Sequence, residues 1–449
     1  MQVPNTNRKK RPMTCAKSLT LILTSILAGS ACAENWPQWR GPFFNGSTTE
    51  TNLPVQWTKT ENVAWSLDLP GPSAATPIVW GDHVFISSTD TQAQALLALC
   101  LDRKTGKVLW QHKINDGIRK DDRSNFASSS PTTDGKLAFF FYGNGDLTAF
   151  DFTGRQVWTR NVQKDFGEFA FLWTFSSSPV LHAGKLYLQI LQRDVPVNGR
   201  GQKEGPNESC ILALEPATGK MLWRQVRPSE AVAESREAFT TPMPYEHNGR
   251  KELLVIGGDC LTGHDPETGR ELWRWGTWNP TKIGHWRLVT SAVAGDGVIL
   301  ASAPKGDPIY AIKAGGAGSL NDAALAWKSD QQRIITADVP TPLFYQGDFF
   351  VLSDVRKALS RVEPQSGKVK WTIEMPGRKK YEASPTGADG KIYCMNFAGD
   401  VVVVEAEKGQ VLSTIPLGEE GDDFIRSSIA AAQGRLFIRT NTKLYAIGK

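Results

Sequence analysis

Residues 213–223 read Ala-Leu-Glu-Pro-Ala-Thr-Gly-Lys-Met-Leu-Trp, and the same stretch returns along the chain in altered form. It reads as strand, tight turn, strand. Ala213 and Leu214 close an apolar run, the Glu215 carboxylate can fold back onto nearby backbone N–H groups, and Gly219 supplies the positive φ that closes the turn. Trp223 falls four residues later, on the next strand. The spacing of acid, glycine and tryptophan recurs as Asp102, Gly106, Trp110, as Asp265, Gly269, Trp273, and as Glu363, Gly367, Trp371. Asp151, Gly154, Trp158 has a turn one residue shorter, and Glu405, Gly409 is followed by Ser413 in the tryptophan place. A self-similar unit of roughly 40 to 60 residues, all strand and turn, specifies a propeller or a β-solenoid.

A second marker sets the count. Small polar residues, often with a proline, lead into an apolar strand and a turn glycine at Pro77–Gly81, Pro131–Gly135, Pro179–Gly184, Pro242–Gly249, Ala292–Gly297, Pro342–Gly347, Pro385–Gly390 and Ile429–Gly434. Asp134-Gly135, Asn248-Gly249, Asp296-Gly297 and Asp389-Gly390 are hairpin dipeptides, and proline is tolerated at the first residue of a strand. These openings predict an all-β, eight-bladed propeller of four-stranded antiparallel blades. The last repeat ends at Leu444-Tyr-Ala-Ile447 before its turn and tryptophan, whereas Val63-Ala-Trp65-Ser-Leu67 precedes the first opening. The N-terminal strand is therefore expected to complete the last blade and remove an exposed edge. On the outer strands Trp65, Trp110, Trp158, Trp223, Trp273 and Trp371 are expected to dock each blade against the next, burying the indole while its N–H finds a carbonyl.

The Ala-Leu-Glu-Pro-Ala-Thr-Gly-Lys-x-x-Trp unit resembles the tryptophan-docking repeat of the pyrroloquinoline-quinone (PQQ) repeat propellers over most of residues 63–449. The chain as a whole is similar to exported, BamB-like members of that PQQ-binding-like family, and Asn35-Trp-Pro-Gln-Trp-Arg-Gly-Pro42 looks like the start of their mature chains. The resemblance implies an eight-bladed ring outside the cytoplasm and, through BamB, a protein partner. It implies much less about chemistry, because a fold shared by many proteins does not determine function.

Residues 1–33 read as an export signal: a basic start at Arg8-Lys-Lys-Arg11 and Lys17, an apolar stretch from Leu19 to Ala28, and small residues at Ala31-Cys32-Ala33. Gly29 stands where a lipid attachment at Cys32 wants a large aliphatic residue, so an outer-membrane lipoprotein is the lesser reading. The expected organisation is a signal over 1–33, an extended segment over 34–62 and the propeller over 63–449, with a periplasmic or extracellular address and no membrane span in the mature chain. The first 33 residues hold five of the 51 Lys+Arg and none of the 46 Asp+Glu, so the remainder is formally neutral. That balance argues against a nucleic-acid surface. Cys210 and Cys260 each precede the acid of their repeat by five residues. Rotation between blades should hold such places beyond disulfide reach, which predicts buried free thiols for Cys100, Cys210, Cys260 and Cys394.

Chemistry is expected on the loops that enter each inner strand. They carry Arg123, Trp173, Arg236, His285, Trp286, Arg287 and Arg426, with Gln192–Ser209 as a long insertion able to act as a lid. The arginines could ring a pocket for a polar or anionic ligand with Trp173 and Trp286 as stacking platforms, or pair with Asp122, Glu237, Asp422 and Asp423 and staple the blades. The six histidines are isolated and match no zinc spacing, so no metal site is expected, and the cluster Gly315, Gly316, Gly318 reads as a flexible loop. Quinoprotein dehydrogenases typically carry long insertions, often a vicinal cysteine pair and a bound cation; adjacent cysteines are missing here. The expected function is a non-catalytic, BamB-like binding protein with no cofactor, taking an envelope protein or a small polar or glycan ligand at the rim. The alternatives are a PQQ-dependent dehydrogenase, with PQQ and calcium, and a glycan-binding propeller.

Overall fold

The computed structural model describes residues 1–4, 34–329 and 334–448, so the reading of 1–33 as a signal lies almost wholly outside the described residues. The chain divides into residues 1–32 and 33–449, and every assigned strand belongs to the second unit. These strands form eight antiparallel sheets arranged as the blades of a propeller. Blade one comprises Ile78–Trp80, His83–Asp90, Ala95–Asp102 and Val108–Asp116. The others follow in chain order to blade eight, where Ala430–Ala432, Arg435–Arg439 and Lys443–Ile447 are completed by Val63–Asp68. The closing register sets Trp65 opposite Ala446, Ser66 opposite Tyr445 and Leu67 opposite Leu444, as the truncated last repeat predicts. Helix among the described residues is confined to Val162–Phe166 and two short 3-10 turns.

Blades are joined at two radii. Near the outer edge, the Trp65 indole donates to Arg103 O (2.8 Å), Trp110 to Phe152 O (3.1 Å), Trp158 to Pro216 O (2.8 Å) and Trp371 to Glu407 O (3.1 Å), each in the turn of the following blade. The turn glycine is required by contact as well as by φ: a Cβ on Gly219 would lie 2.7 Å from the Trp158 ring. Trp223 covers Gly269 in the same way. Trp273 departs from the pattern. Its N–H goes to Glu252 of its own blade (2.7 Å), because the third strand of blade five runs into an insertion instead of an acid-glycine turn. Gly318–Ser319 of that insertion pairs in parallel with Trp273 and Arg274 and covers the edge of blade four, so the glycine cluster is part of a sheet and not a loose loop. The dock between blades five and six is Trp327, which donates to Pro364 O (2.7 Å) over Gly367.

Near the axis the inner strands are linked by hydroxyls. The Ser428 N–H donates to Thr76 Oγ1 (3.2 Å), Thr76 N to Ser130 Oγ (2.9 Å), Ser130 N to Ser178 Oγ (3.0 Å) and Ser178 N to Thr241 Oγ1 (3.1 Å). The chain continues from Thr241 N to Ser291 Oγ (2.9 Å), Ser291 N to Thr341 Oγ1 (3.0 Å) and Thr341 N to Ser384 Oγ (3.0 Å). An inner strand has no strand across the axis to accept its N–H, and a buried amide left unpaired is costly. Serine or threonine at each opening supplies the acceptor, which explains why these places are small and polar.

The segment ahead of the closing strand laces across the end of the channel where the first hairpin of each blade turns. Trp36 exchanges backbone bonds with Val79 (2.9 and 2.8 Å), Thr133 N donates to Pro37 O (3.0 Å), Phe344 N to Asn45 O (3.2 Å) and Gly387 N to Gly46 O (3.0 Å). Glu50 then receives the Gln433 and Gly434 N–H groups of blade eight (2.9 and 2.8 Å). The buried Arg40 guanidinium donates to Pro342 O (2.9 Å), Pro385 O (3.2 Å) and Asn45 O (3.2 Å). The expected extended segment is thus a strap that closes one end of the ring. Cys100, Cys210, Cys260 and Cys394 are free and buried.

Candidate functional site

Opposite the strap, the channel mouth holds a cavity of about 240 Å³. Its wall is built from the start of each inner strand, including Ser128, Ser130, Ser178, Thr241, Ser384 and Ser428, so the hydroxyl belt forms part of the lining. Arg123, Trp173, Arg287 and Arg426 stand above it, and Trp39 of the strap reaches it from the closed end.

Trp173 organises one side. Its indole N–H donates to Glu234 Oε1 (3.0 Å), the same oxygen takes Arg287 Nη1 (2.7 Å), and the Arg287 and Arg123 guanidinium carbons lie 5.5 and 5.8 Å from the Trp173 ring centroid. On the other side Arg426 Nε donates to Glu382 Oε2 (2.7 Å) and its guanidinium carbon lies 4.9 Å from the Phe397 ring. The Arg426 Nη2 is buried without a hydrogen-bond partner. Lys305 and Lys380, which are not among the site residues expected from the sequence, also line the cavity. Among the described residues Arg123, Lys305 and Lys380 form no ion pair with a carboxylate.

Acid groups gather between blades five and seven. Asp338 lines the cavity, with Oδ1 receiving the Lys305 N–H (2.6 Å) and its own N–H donating to Asp354 Oδ1 (2.9 Å). Burial, reinforced by the nearby Asp338 and Glu382 charges, pushes the Asp354 carboxyl up to about 6. Asp121 behaves oppositely. Burial raises it, but hydrogen bonds from Thr174, Ser124 and Arg123 outweigh that and hold it below the ordinary carboxylate range.

The other expected rim residues lie elsewhere. The turn Ala233–Arg236 points Arg236 at Asp194 of the long insertion (3.2 Å). His285 is exposed and absent from the cavity wall, and Trp286 packs against the core of blades four and five with its backbone N–H on Ser235 Oγ (2.8 Å). The proposed stapling acids are used differently as well. Glu237 pairs with Arg193 of the insertion and accepts the Leu172 N–H (3.0 Å), Asp423 pairs with Lys379 (3.1 Å), and Asp422 accepts the Asn441 and Thr442 N–H groups. The insertion is therefore fixed to the blade three to four link beside Trp173. His264 is a satisfied buried group between Gly269 O (2.9 Å) and Thr262 Oγ1 (2.8 Å), its pKa pushed down to about 4 by burial.

An eight-bladed propeller with one axial end strapped shut and a cavity of cations, carboxylates and indoles at the other defines a ring protein with a single axial site. The chain belongs to the PQQ_2 family, described as outer membrane protein assembly factor BamB, whose model matches residues 46–197, 207–317 and 313–448. Two curated relatives are both polyvinylalcohol dehydrogenases. The one from a Pseudomonas species is 25% identical over 163 residues (36% of this chain, 24% of the relative), and the one from Sphingopyxis sp. strain 113P3 is 26% identical over 263 residues (55% and 35%). The chain spans about a quarter to a third of their length. Among solved structures the fold is shared with a europium-containing methanol dehydrogenase (TM-score 0.64, 12% identity, 90% of this chain and 89% of that one). It is shared too with the quinohemoprotein alcohol dehydrogenase from Comamonas testosteroni (0.62, 13%, 93% and 81%) and with BamB from Moraxella catarrhalis (0.58, 13%, 86% and 99%). These matches correct the expectation of a non-catalytic scaffold without a cofactor: both curated relatives are dehydrogenases, and the neighbours in fold include a quinohemoprotein. Among the residues that line the cavity, Lys305 and Asp338 stand on loops with no common spacing.

Proposed function

We propose that the protein is an alcohol dehydrogenase of the quinoprotein type, with an anionic quinone such as PQQ held in the channel-mouth cavity. The observation that carries this reading is the set Arg123, Lys305 and Lys380, cations without carboxylate partners, around a cavity flanked by Trp39 and Trp173. Three unpaired cations and the orphan Arg426 Nη2 fit the carboxylates of a flat tricarboxylated ring, and the indoles fit its faces. The donors do not fit a metal ion equally well: among the described residues no three His, Cys, Asp or Glu side chains are grouped to hold one. No step is therefore assigned to a metal.

When bound, the quinone supplies the two-electron acceptor, taking up two electrons and two protons as an alcohol's O–H and C–H bonds break and its carbonyl forms. The chain's own residues do the rest. Asp338, facing the cavity, would receive the hydroxyl proton at Oδ2, which accepts no hydrogen bond among the described residues, and pass it on as one of the two protons taken up on reduction. Arg123 and Arg287 over Trp173 hold the anion, and the strap keeps water from entering behind it. The substrate class is an alcohol, as the names of the relatives suggest, and residues 1–33 support export to the periplasm. No helix among the described residues is long and apolar enough to cross a membrane.

Titration with PQQ, followed by calorimetry and by the quinone's absorbance, tests this. Binding is expected, and Arg123→Ala with Lys380→Ala is expected to weaken it at least about tenfold, as losing charge-assisted hydrogen bonds does. Failure of the wild-type protein to bind PQQ, or to reduce a dye when given PQQ and alcohols, overturns the reading.

A further inference from the structure

Beside the cavity lies a larger hollow of about 720 Å³ that shares Ala74, Arg123, Ser124, Ser128 and Arg426 with it. The groove runs over the seam where the ring is closed, between the Leu69–Ala74 link, the Lys120–Asn125 link and the loop from Gly421 to Arg426. Its walls are fixed. Pro70 O accepts the Thr91 N–H (3.2 Å), Pro72 O accepts Thr89 Oγ1 (2.8 Å) and Asn125 Nδ2 (3.0 Å), and Asn441 Nδ2 donates to Asp423 O (2.6 Å). Phe424 is a non-glycine residue at φ 55 and is 56% exposed, so the backbone holds an aromatic ring out at the edge of the groove. The lining combines apolar Leu69, Pro70 and Pro72 with the hydroxyl-bearing Ser73, Thr91 and Thr442. Lys120, Arg123 and Arg426 on the lining are matched in number by Asp121, Asp122 and Asp423, unlike the cation-rich cavity beside it.

We infer that this groove binds the trailing part of a neutral, hydroxyl-bearing chain whose leading alcohol enters the channel cavity. A lining that combines apolar and hydrogen-bonding groups suits a chain built of CH2 and CHOH groups, balanced charge selects against an anionic polymer, and the wall shared with the cavity sets the polarity of entry. The inference rests on the dehydrogenase reading and adds where a long substrate lies.

The test compares 2,4-pentanediol with polyvinyl alcohol oligomers on PQQ-loaded protein, and measures calorimetric binding of the oligomer to the unloaded protein. In Phe424→Ala and in the groove-filling Thr91→Trp, the ratio of the oligomer KM to the diol KM is expected to rise about tenfold, the size of a lost apolar contact. Oligomer binding to unloaded Thr91→Trp should fall by a similar factor. An unchanged KM ratio together with unchanged oligomer binding overturns the groove. Oxidation of neither alcohol overturns the dehydrogenase reading instead, and the calorimetric arm then decides the groove by itself: oligomer binding lost in Thr91→Trp sustains it, and no binding to the wild type ends it.

Discussion

Glu237 shows how one side chain couples the insertion to the site. It is fully buried, pairs with Arg193 and accepts the Leu172 N–H next to Trp173. Burial pushes its carboxyl up to about 7, against the opposing pull of Arg193. The folded protein thus holds this proton more tightly than the unfolded chain, whose glutamates titrate near 4.5. Its contribution to stability is fully present below that value and is lost as pH rises through about 7. Glu237→Gln removes the titration. The stability difference, wild type minus variant, should fall by about 3 kcal/mol between pH 4.5 and 7.5 in urea denaturation, and a flat difference would sink the assignment.

Among elements, the strap is the least repeat-like and the most constrained. Gly46 has φ 89, and a Cβ there would lie 2.0 Å from Arg40 Nη2, whereas Gly81 at φ 55 has nothing within 4 Å. Gly46→Ala is expected to cost about 2 kcal/mol or more and Gly81→Ala about 1 kcal/mol, since only the first adds a collision to the backbone strain. Equal urea midpoints for the two variants would contradict a rigid strap. The strap also marks the limit of sequence reading. The blades were legible because turn chemistry and spacing repeat, and Arg123, Trp173, Arg287 and Arg426 were legible because they precede inner strands. Trp327 was missed because blade five replaces the turn that keeps register. Lys305 and Asp338 sit on loops without a repeated spacing, and Trp39 reaches the cavity only because the strap folds back across the ring. Arg236 precedes an inner strand too, but a 3-10 turn aims it at Asp194.

At the scale of the whole molecule, the ring is closed where its two chain-distant ends meet in one blade, the pairing of Val63–Asp68 with Lys443–Ile447. Opening the ring at this junction strips only one strand from blade eight while exposing its edge. The hydroxyl belt resists the same motion from inside, because separating blades eight and one breaks the Ser428 to Thr76 link and the bonds from the buried Arg439 to Ser87 O and Gly71 O. If unfolding begins there, a cross-link across the junction should slow it more than any cross-link inside a blade. Asp68 and Lys443 face each other in the register and form an ion pair 375 residues apart, so Asp68→Cys with Lys443→Cys places a disulfide where the loop it closes is nearly the whole propeller. Chain entropy puts the ceiling on its stabilisation at about 6 kcal/mol. The oxidised variant is expected to unfold at least about tenfold more slowly in denaturant than its reduced form, with little change in refolding. Equal unfolding rates in the two forms would mean that the ring first yields at another blade interface, and that the terminal strand is held as firmly as the strands around it.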